Sequence, residues 1–180
     1  MKKKNKKRNI LYIIVILLIF LLAIFSFESF KQEKKEMPTE TEKLVKNISI
    51  SSLSLEDFVK VKINITENNI LLIYECKVLP IGITAPQAYS IYIGKINETA
   101  FRPTTHDIIH EILEHYGIDV MFVKVTELKG GTYFAELYLK KGNRILNIDT
   151  RPSDAIAIAV RSNSPVYLKK DLLKYAEEFC

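Results

Sequence analysis

Tryptophan is absent, and the 180 residues include only two cysteines, six glycines and six prolines. So little glycine and proline excludes a collagen-like repeat, and an apolar fraction of 48% against 26% charged excludes wholesale disorder. Cys76 and Cys180 have no second pair and no C-x-x-C spacing, which excludes a cysteine-based zinc finger, an iron–sulfur cluster and a multiply stapled miniprotein. A single Cys76–Cys180 bridge stays open. Gly130-Gly131 is not a glycine-rich nucleotide loop, because no helix follows it, and a G-x-S-x-G elbow is also missing.

What looks like an excess of positive charge is local. The formal charge is +5, yet residues 1–36 carry nine cations against Glu28, Glu33 and Glu36, so the remainder of the chain is net −1. The basicity therefore says nothing about what the folded part binds.

From Asn9 to Phe27 no residue is charged, and Lys2, Lys3, Lys4, Lys6, Lys7 and Arg8 stand directly ahead. At about 1.5 Å per residue the run spans roughly 28 Å, the thickness of a bilayer's hydrocarbon core. This predicts a transmembrane signal anchor at 9–27, a cytoplasmic basic segment at 1–8 and an outward-facing remainder. A cleaved signal peptide is the competing reading; its apolar region is usually shorter, and no A-x-A-like site follows. Residues 28–55 are polar, mixed in charge and broken by Pro38, which reads as a linker.

Residues 56–180 are expected to form the folded domain. Val59, Val61, Ile63 and Ile65 alternate with polar residues as in a half-buried strand, and Ile70–Val78 is expected to return as its hairpin partner. A short helix is predicted over 87–93, an amphipathic helix over 104–116 stopped by Gly117, and a three-strand meander over 118–149. Pro152 opens a helix that is apolar all round at 155–160, Pro165–Leu168 suggests a short strand, and Asp171–Phe179 a last helix. The fold class is α+β, with antiparallel sheet or sheets, packed helices and two β-β-β-α halves. In the helix at 104–116 the apolar stripe is Ile108, Ile109, Ile112, Leu113 and Tyr116, with Asp107, His110, Glu111 and Glu114 opposite. Phe134 and Tyr138 share one strand face and are candidate stacking platforms.

Two helix starts carry the chemistry: Arg102-Pro103-Thr104-Thr105-His106-Asp107 and Arg151-Pro152-Ser153-Asp154. A helix N-terminus exposes unpaired N–H groups and partial positive charge, so an Arg there needs an anion. That anion is either a phosphate, held by Arg102, Arg151 and Ser153, or the neighbouring Asp107 and Asp154 in structural pairs. Asp149 and Asp154 flank a strand-to-helix turn where two carboxylates can hold a divalent cation or activate water. His106, at the stripe's edge, is the general acid/base candidate, while His110-Glu111-x-x-Glu114 misses the H-E-x-x-H zinc pattern.

Ile148-Asp149-Thr150-Arg151-Pro152-Ser153-Asp154 with the alanine-rich run to Arg161, Arg102 to Asp107, and Gly131-Thr132-Tyr133-Phe134-Ala135 together resemble the bifunctional nuclease (DNase/RNase) domain family. The resemblance implies an α+β fold and hydrolysis of DNA and RNA phosphodiester bonds with little sequence preference. Residues 79–88 depart from the family pattern, with Gly82 in place of an aromatic and Ala85 and Gln87 in place of acids. The expectation is a membrane-anchored nuclease with Asp149, Asp154, His106 and Asp107 catalytic and Arg102, Arg151 and Ser153 on phosphate. Its partners are nucleic acid and, through 9–27, the lipid bilayer, with a homo-oligomer left open. The alternative is a non-enzymatic binding or assembly module at the membrane surface.

Overall fold

The computed structural model describes residues 53–180 and, ahead of them, Leu18, Phe20 and Leu21, which are helical. The rest of the anchor expected at 9–27, the basic segment 1–8 and nearly all of the linker lie outside the described residues. No helix among the described residues is long and apolar enough to cross a membrane. The chain divides into a unit ending at Ser54 and a second, Leu55–Cys180, to which all that follows refers.

The period-two run forms strand β1 (Phe58–Ile65), followed by β2 (Asn69–Tyr74) and β3 (Lys77–Gly82). After two helices come β4 (Asp119–Lys129), β5 (Thr132–Lys141) and β6 (Arg144–Thr150), then a third helix, β7 (Val166–Lys169), a 3₁₀ helix (Lys170–Tyr175) and β8 (Glu177–Glu178). All eight strands join one sheet in the order β6-β5-β4-β7-β1-β2-β3-β8. Two antiparallel three-strand meanders thus flank β7, which runs antiparallel to β1 and parallel to β4. The sheet is mixed, where an antiparallel one was expected. The parallel pair arises because the third helix carries the chain from the β6 edge back to the centre.

The expected strand over 70–78 is in fact two strands. The chain turns at Glu75-Cys76, with Glu75 at φ 50°. Neither residue is the Asn or Gly that marks such a turn, so the pattern hides it. Cys76 is bonded to Cys180, β8 pairs with β3, and Phe179 N–H donates to Cys76 O at 3.1 Å. The tail that read as a helix is held extended by these contacts and keeps only a short 3₁₀ turn.

Helices α1 (Ala85–Lys95), α2 (Thr105–His115) and α3 (Pro152–Arg161) follow. Each ends with a left-handed residue, Asn97, Gly117 and Asn163, and with the 6→1 bond of a Schellman motif, as in Ile118 N–H to Leu113 O at 2.8 Å. The core lies where one sheet face, with Val61, Leu72, Leu79, Val123, Val125, Leu137 and Leu168, meets α3, whose Ala155–Ala159 are all buried. The small alanines let α3 pack on the sheet and against both other helices.

Two readings of side-chain faces change. On α2, Ile108 and Ile112 are half exposed, whereas Asp107 has only a tenth of its side chain exposed. Tyr138 is buried, and its hydroxyl donates to Glu136 at 2.6 Å. The Tyr138 ring also lies beside the buried Lys124, whose Nζ is 5.2 Å from its centroid, so it offers no stacking platform.

Candidate functional site

Arg151 is the residue before α3, in extended conformation, with Pro152 in the first turn and Asp154 three residues on. This local geometry lets the Arg151 Nε–H donate to Asp154 Oδ2 at 2.7 Å. Thr104 opens α2 differently, in a reciprocal capping box with Asp107. Asp107 Oδ2 accepts from Thr104 N–H at 2.6 Å and from its hydroxyl at 2.7 Å, and Asp107 N–H donates back to Thr104 Oγ1 at 3.3 Å. At the head of α1, Gln87 Oε1 accepts from Thr84 N–H at 2.8 Å, while Gln87 Nε2 donates to Ser153 Oγ at 3.0 Å.

These three helix starts are joined by one polar chain. His106 Nε2 faces Asp154 Oδ1 at 3.5 Å, and its Nδ1 lies 2.9 Å from Ser90 Oγ. Arg161 Nη2 donates to Ser90 Oγ at 3.4 Å, Nη1 to Ala157 O at 2.6 Å and Nε to Asp107 Oδ1 at 2.7 Å. Gly94 makes room for this guanidinium, since a Cβ there would come within 2.6 Å of Arg161 Nη1.

Arg151 stands between two clefts and lines both. One, of about 340 Å³, is bounded by Ile83, Gln87, Thr132, Tyr133 and Ser153. The other, of about 520 Å³, lies between α2 and strands β5 and β6, with His106, Asp154 and Thr150 at its polar end and Ile109, Leu139 and Ile148 along its apolar walls. The Arg151 side chain is 72% exposed, and among the described residues only its Nε is engaged. The outer edge of the fork faces solvent.

Of the residues expected from sequence, the fold brings together Arg151, Ser153, Asp154 and His106, with Asp107 one step further along the chain. Two are placed elsewhere. Asp149 pairs across the sheet with Glu136, and its neighbour Ile148 points into the core beside Leu137. The side chains of a strand alternate, so Asp149 lies on the sheet face away from α3 and Asp154. The expected two-carboxylate site for a divalent cation is therefore not assembled, and among the described residues no three His, Cys, Asp or Glu side chains converge on a metal position. Arg102 is exposed and borders neither cleft. Its supposed partner Asp107 is taken by Arg161 instead, which is why α2 turns its Asp107 side inward.

Ser90 is absent from the sequence reading, while Gln87 enters it only as a departure from the family pattern and Arg161 only as the end of a family-like segment, neither as a site residue. Arg161 ends the segment that resembles the family, four residues beyond the alanine run's midpoint, and was the legible clue. Ser90 sits in a helix with no polar pattern around it.

The charges follow from this geometry. Burial lowers the His106 pKa and the Arg161 cation adds to that, while Asp154 and Asp107 pull the other way without prevailing. For Asp107 burial would raise the pKa, but the two Thr104 hydrogen bonds and Arg161 outweigh it, and the carboxyl lies below its ordinary range. The Arg151 pKa is raised by the hydrogen bond to Asp154 and by its charge.

A family model described as the bifunctional nuclease domain matches residues 70–179, which includes every one of these groups. The chain belongs to the bifunctional nuclease domain family. An uncharacterized protein of Mycobacterium tuberculosis (strain ATCC 25618 / H37Rv) is 33% identical over 98 residues, 54% of this chain and 58% of that protein. Bifunctional nuclease 1 of Arabidopsis thaliana is 36% identical over 97 residues, 52% of this chain and 30% of the plant protein. Bifunctional nuclease 2 of the same plant matches equally well, at 36% over 97 residues. The similarity to these relatives thus spans well under two thirds of their length. The part of the chain matched by the nuclease-domain family model contains the three helices and every strand except β1.

Proposed function

We propose that this protein is a membrane-anchored, outward-facing nuclease that hydrolyses phosphodiester bonds of DNA or RNA with little sequence preference, and that Arg151 and Asp154 are its working pair. The observation that carries the reading is the position of Arg151 at the junction of two clefts, its fork half free and its Nε bonded to Asp154. A phosphate oxygen on the free edge of the guanidinium takes a charge-assisted bond, and charge that grows on the phosphoryl oxygens in the transition state strengthens it. A water that attacks phosphorus forms the new P–O bond, one ester P–O bond breaks, the water's proton passes to Asp154, and the departing alkoxide takes a proton from solvent. Chains threaded past Arg151 have room on either side of the reacting phosphate.

The anchor rests on the uncharged run from Asn9 to Phe27 behind six cations. The Cys76–Cys180 disulfide supports the outward orientation, because such bonds persist in oxidising compartments. Protease added to intact cells should then remove residues 55–180; full protection would place the domain inside. The test of activity is single-stranded DNA or RNA with the detergent-solubilised full chain. Hydrolysis is expected, and its loss in Asp154→Ala.

One observation favours the binding module as a second reading. Ile108 and Ile112 of α2, with Tyr116 just after it, leave an exposed apolar stripe, and the chain beyond residue 36 is near neutral rather than basic. A wild-type protein that binds nucleic acid or another partner but never cleaves would select that reading.

A further inference from the structure

We infer that His106 serves Asp154 as a fixed hydrogen-bond donor, with its proton on Nε2, and that Ser90 and Arg161 are the positioning residues that hold it in that state. The inference rests on the reading of Asp154 as a reacting group, and it displaces the expectation that His106 is itself the general acid or base.

The argument is a count of protons. Ser90 is 5% exposed, so its hydroxyl must find its partners within the protein. It has one proton and two lone pairs. Arg161 Nη2 is only a donor, so towards it Ser90 Oγ accepts, at 3.4 Å. Among the described residues no carbonyl or carboxylate takes the Ser90 proton, and the remaining neighbour is His106 Nδ1 at 2.9 Å. Ser90 therefore donates to Nδ1, which must carry a lone pair, and the ring's own proton sits on Nε2. That nitrogen faces Asp154 Oδ1 at 3.5 Å, a separation that shortens readily when a substrate closes the site.

Protonation of the ring would upset every part of this. An N–H on Nδ1 would meet the Ser90 O–H head-on, and the hydroxyl would have to turn to a direction with no acceptor. The charged groups around the ring are Asp154 and Arg161 of α3, Asp107 of α2 and, through Asp154, Arg151. Arg161 is itself fixed, with its side chain 4% exposed and three of its N–H groups committed to Asp107, Ala157 and Ser90. A ring that already carries its proton on the nitrogen facing Asp154 cannot remove one from a water there. What it does is hold the carboxylate in place from the side opposite Arg151, leaving the remaining lone pairs to receive the proton.

Imidazole nitrogen NMR on the full chain tests the state directly, with the His106 signals assigned from the spectrum of His106→Gln. Nδ1 is expected as an unprotonated acceptor and Nε2 as N–H at neutral pH, with a tautomer mixture in Ser90→Ala. A proton on Nδ1, or a charged ring, would overturn the proposal. Hydrolysis supplies the second arm. Glutamine places an N–H donor the same number of bonds from Cβ as Nε2, but it cannot titrate. His106→Gln should keep activity within about tenfold of wild type, the scale of one altered hydrogen bond. A loss of roughly 10²–10⁴-fold in that variant, the contribution of a general base, would refute the donor role. If the wild type shows no hydrolysis at all, the nuclease reading fails while the NMR arm still decides the tautomer.

Discussion

Arg161 and Asp107 meet across α3 and α2 at 2.7 Å, with side chains 4% and 10% exposed. The sequence offers Asp107 either as a catalytic carboxylate or as the partner of Arg102 five residues earlier, whereas the fold pairs it with an arginine 54 positions later. Removal of one partner leaves a buried charge without compensation, and such losses cost about 3–5 kcal/mol. Arg161→Met is therefore expected to destabilise the domain by that amount in urea titrations, and Asp107→Asn in the Met background should recover part of it. The carboxylate also sets an acid limit. Its folded pKa is below the unfolded value of about 3.9, so its contribution is fully present above that pH and is lost as the pH falls towards the folded pKa.

The two arginines that look alike in sequence should behave differently. Arg151 lines both clefts and Arg102 lines neither. Loss of a preorganised donor to a transition-state oxyanion costs roughly 10²–10³-fold in rate. Arg151→Ala is expected to lose that much in kcat/KM on single-stranded DNA, while Arg102→Ala stays within about threefold of wild type, as a screened surface charge does. Equal losses in both would place the phosphate path along the α2 loop instead.

Asp149→Asn provides a parallel test on the carboxylates. Asp149 lies beside Glu136 on the far sheet face, so the substitution should leave hydrolysis unchanged and relieve a like-charge neighbour across the strands. Asp154→Asn, by contrast, should abolish it. A matching loss in Asp149→Asn would require a second active surface.

Where hydrophobic period and turn chemistry were strong, the chain could be read correctly. The meander β4–β6, the all-apolar α3 and the Gly117 stop follow from residues a few positions apart. Elements decided by distant partners could not. Cys76, at the β2–β3 turn, is tied to Cys180 at the far end of the chain, and the inward side of α2 presents Asp107 to Arg161 beside Ile109 and Leu113, leaving Ile108 and Ile112 outside. At the site, Arg151, Ser153 and Asp154 share one turn of chain and were found together. Ser90 meets His106 across α1 and α2, and α1 meets Arg161 of α3 at Gly94, contacts that no local pattern encodes. Asp149 was misplaced by the opposite error, since nearness in sequence to Asp154 concealed the alternation of the strand.

His106 gives a stability profile of its own. Its folded pKa lies below the unfolded value of about 6.5, so the neutral ring's contribution is complete above that pH. As the pH drops below it, the unfolded chain binds the proton first, and stability falls until the folded pKa is reached. His106→Gln should remove this decline. Denaturant midpoints collected between pH 7 and pH 4 for the two proteins would show it, and parallel curves would mean that His106 titrates as it does in the unfolded chain.

The disulfide makes the last prediction. Cys76 and Cys180 are 104 residues apart, and the loop they close holds β3 to β8 and all three helices. In the chain-entropy account, closing a loop of that length stabilises the folded state by about 4–5 kcal/mol. Cys180→Ser should lower the melting temperature and release β8, whose two residues pair with β3 at Lys77 and Val78. Ser153, Asp154 and His106 belong to other elements, so hydrolysis measured well below the melting temperature should persist. Amide exchange reads the two effects apart: protection is lost first at Glu177 and Glu178, and the α3 amides stay protected. Early loss in α3 would mean that the C-terminal clamp supports the site as well as the sheet edge.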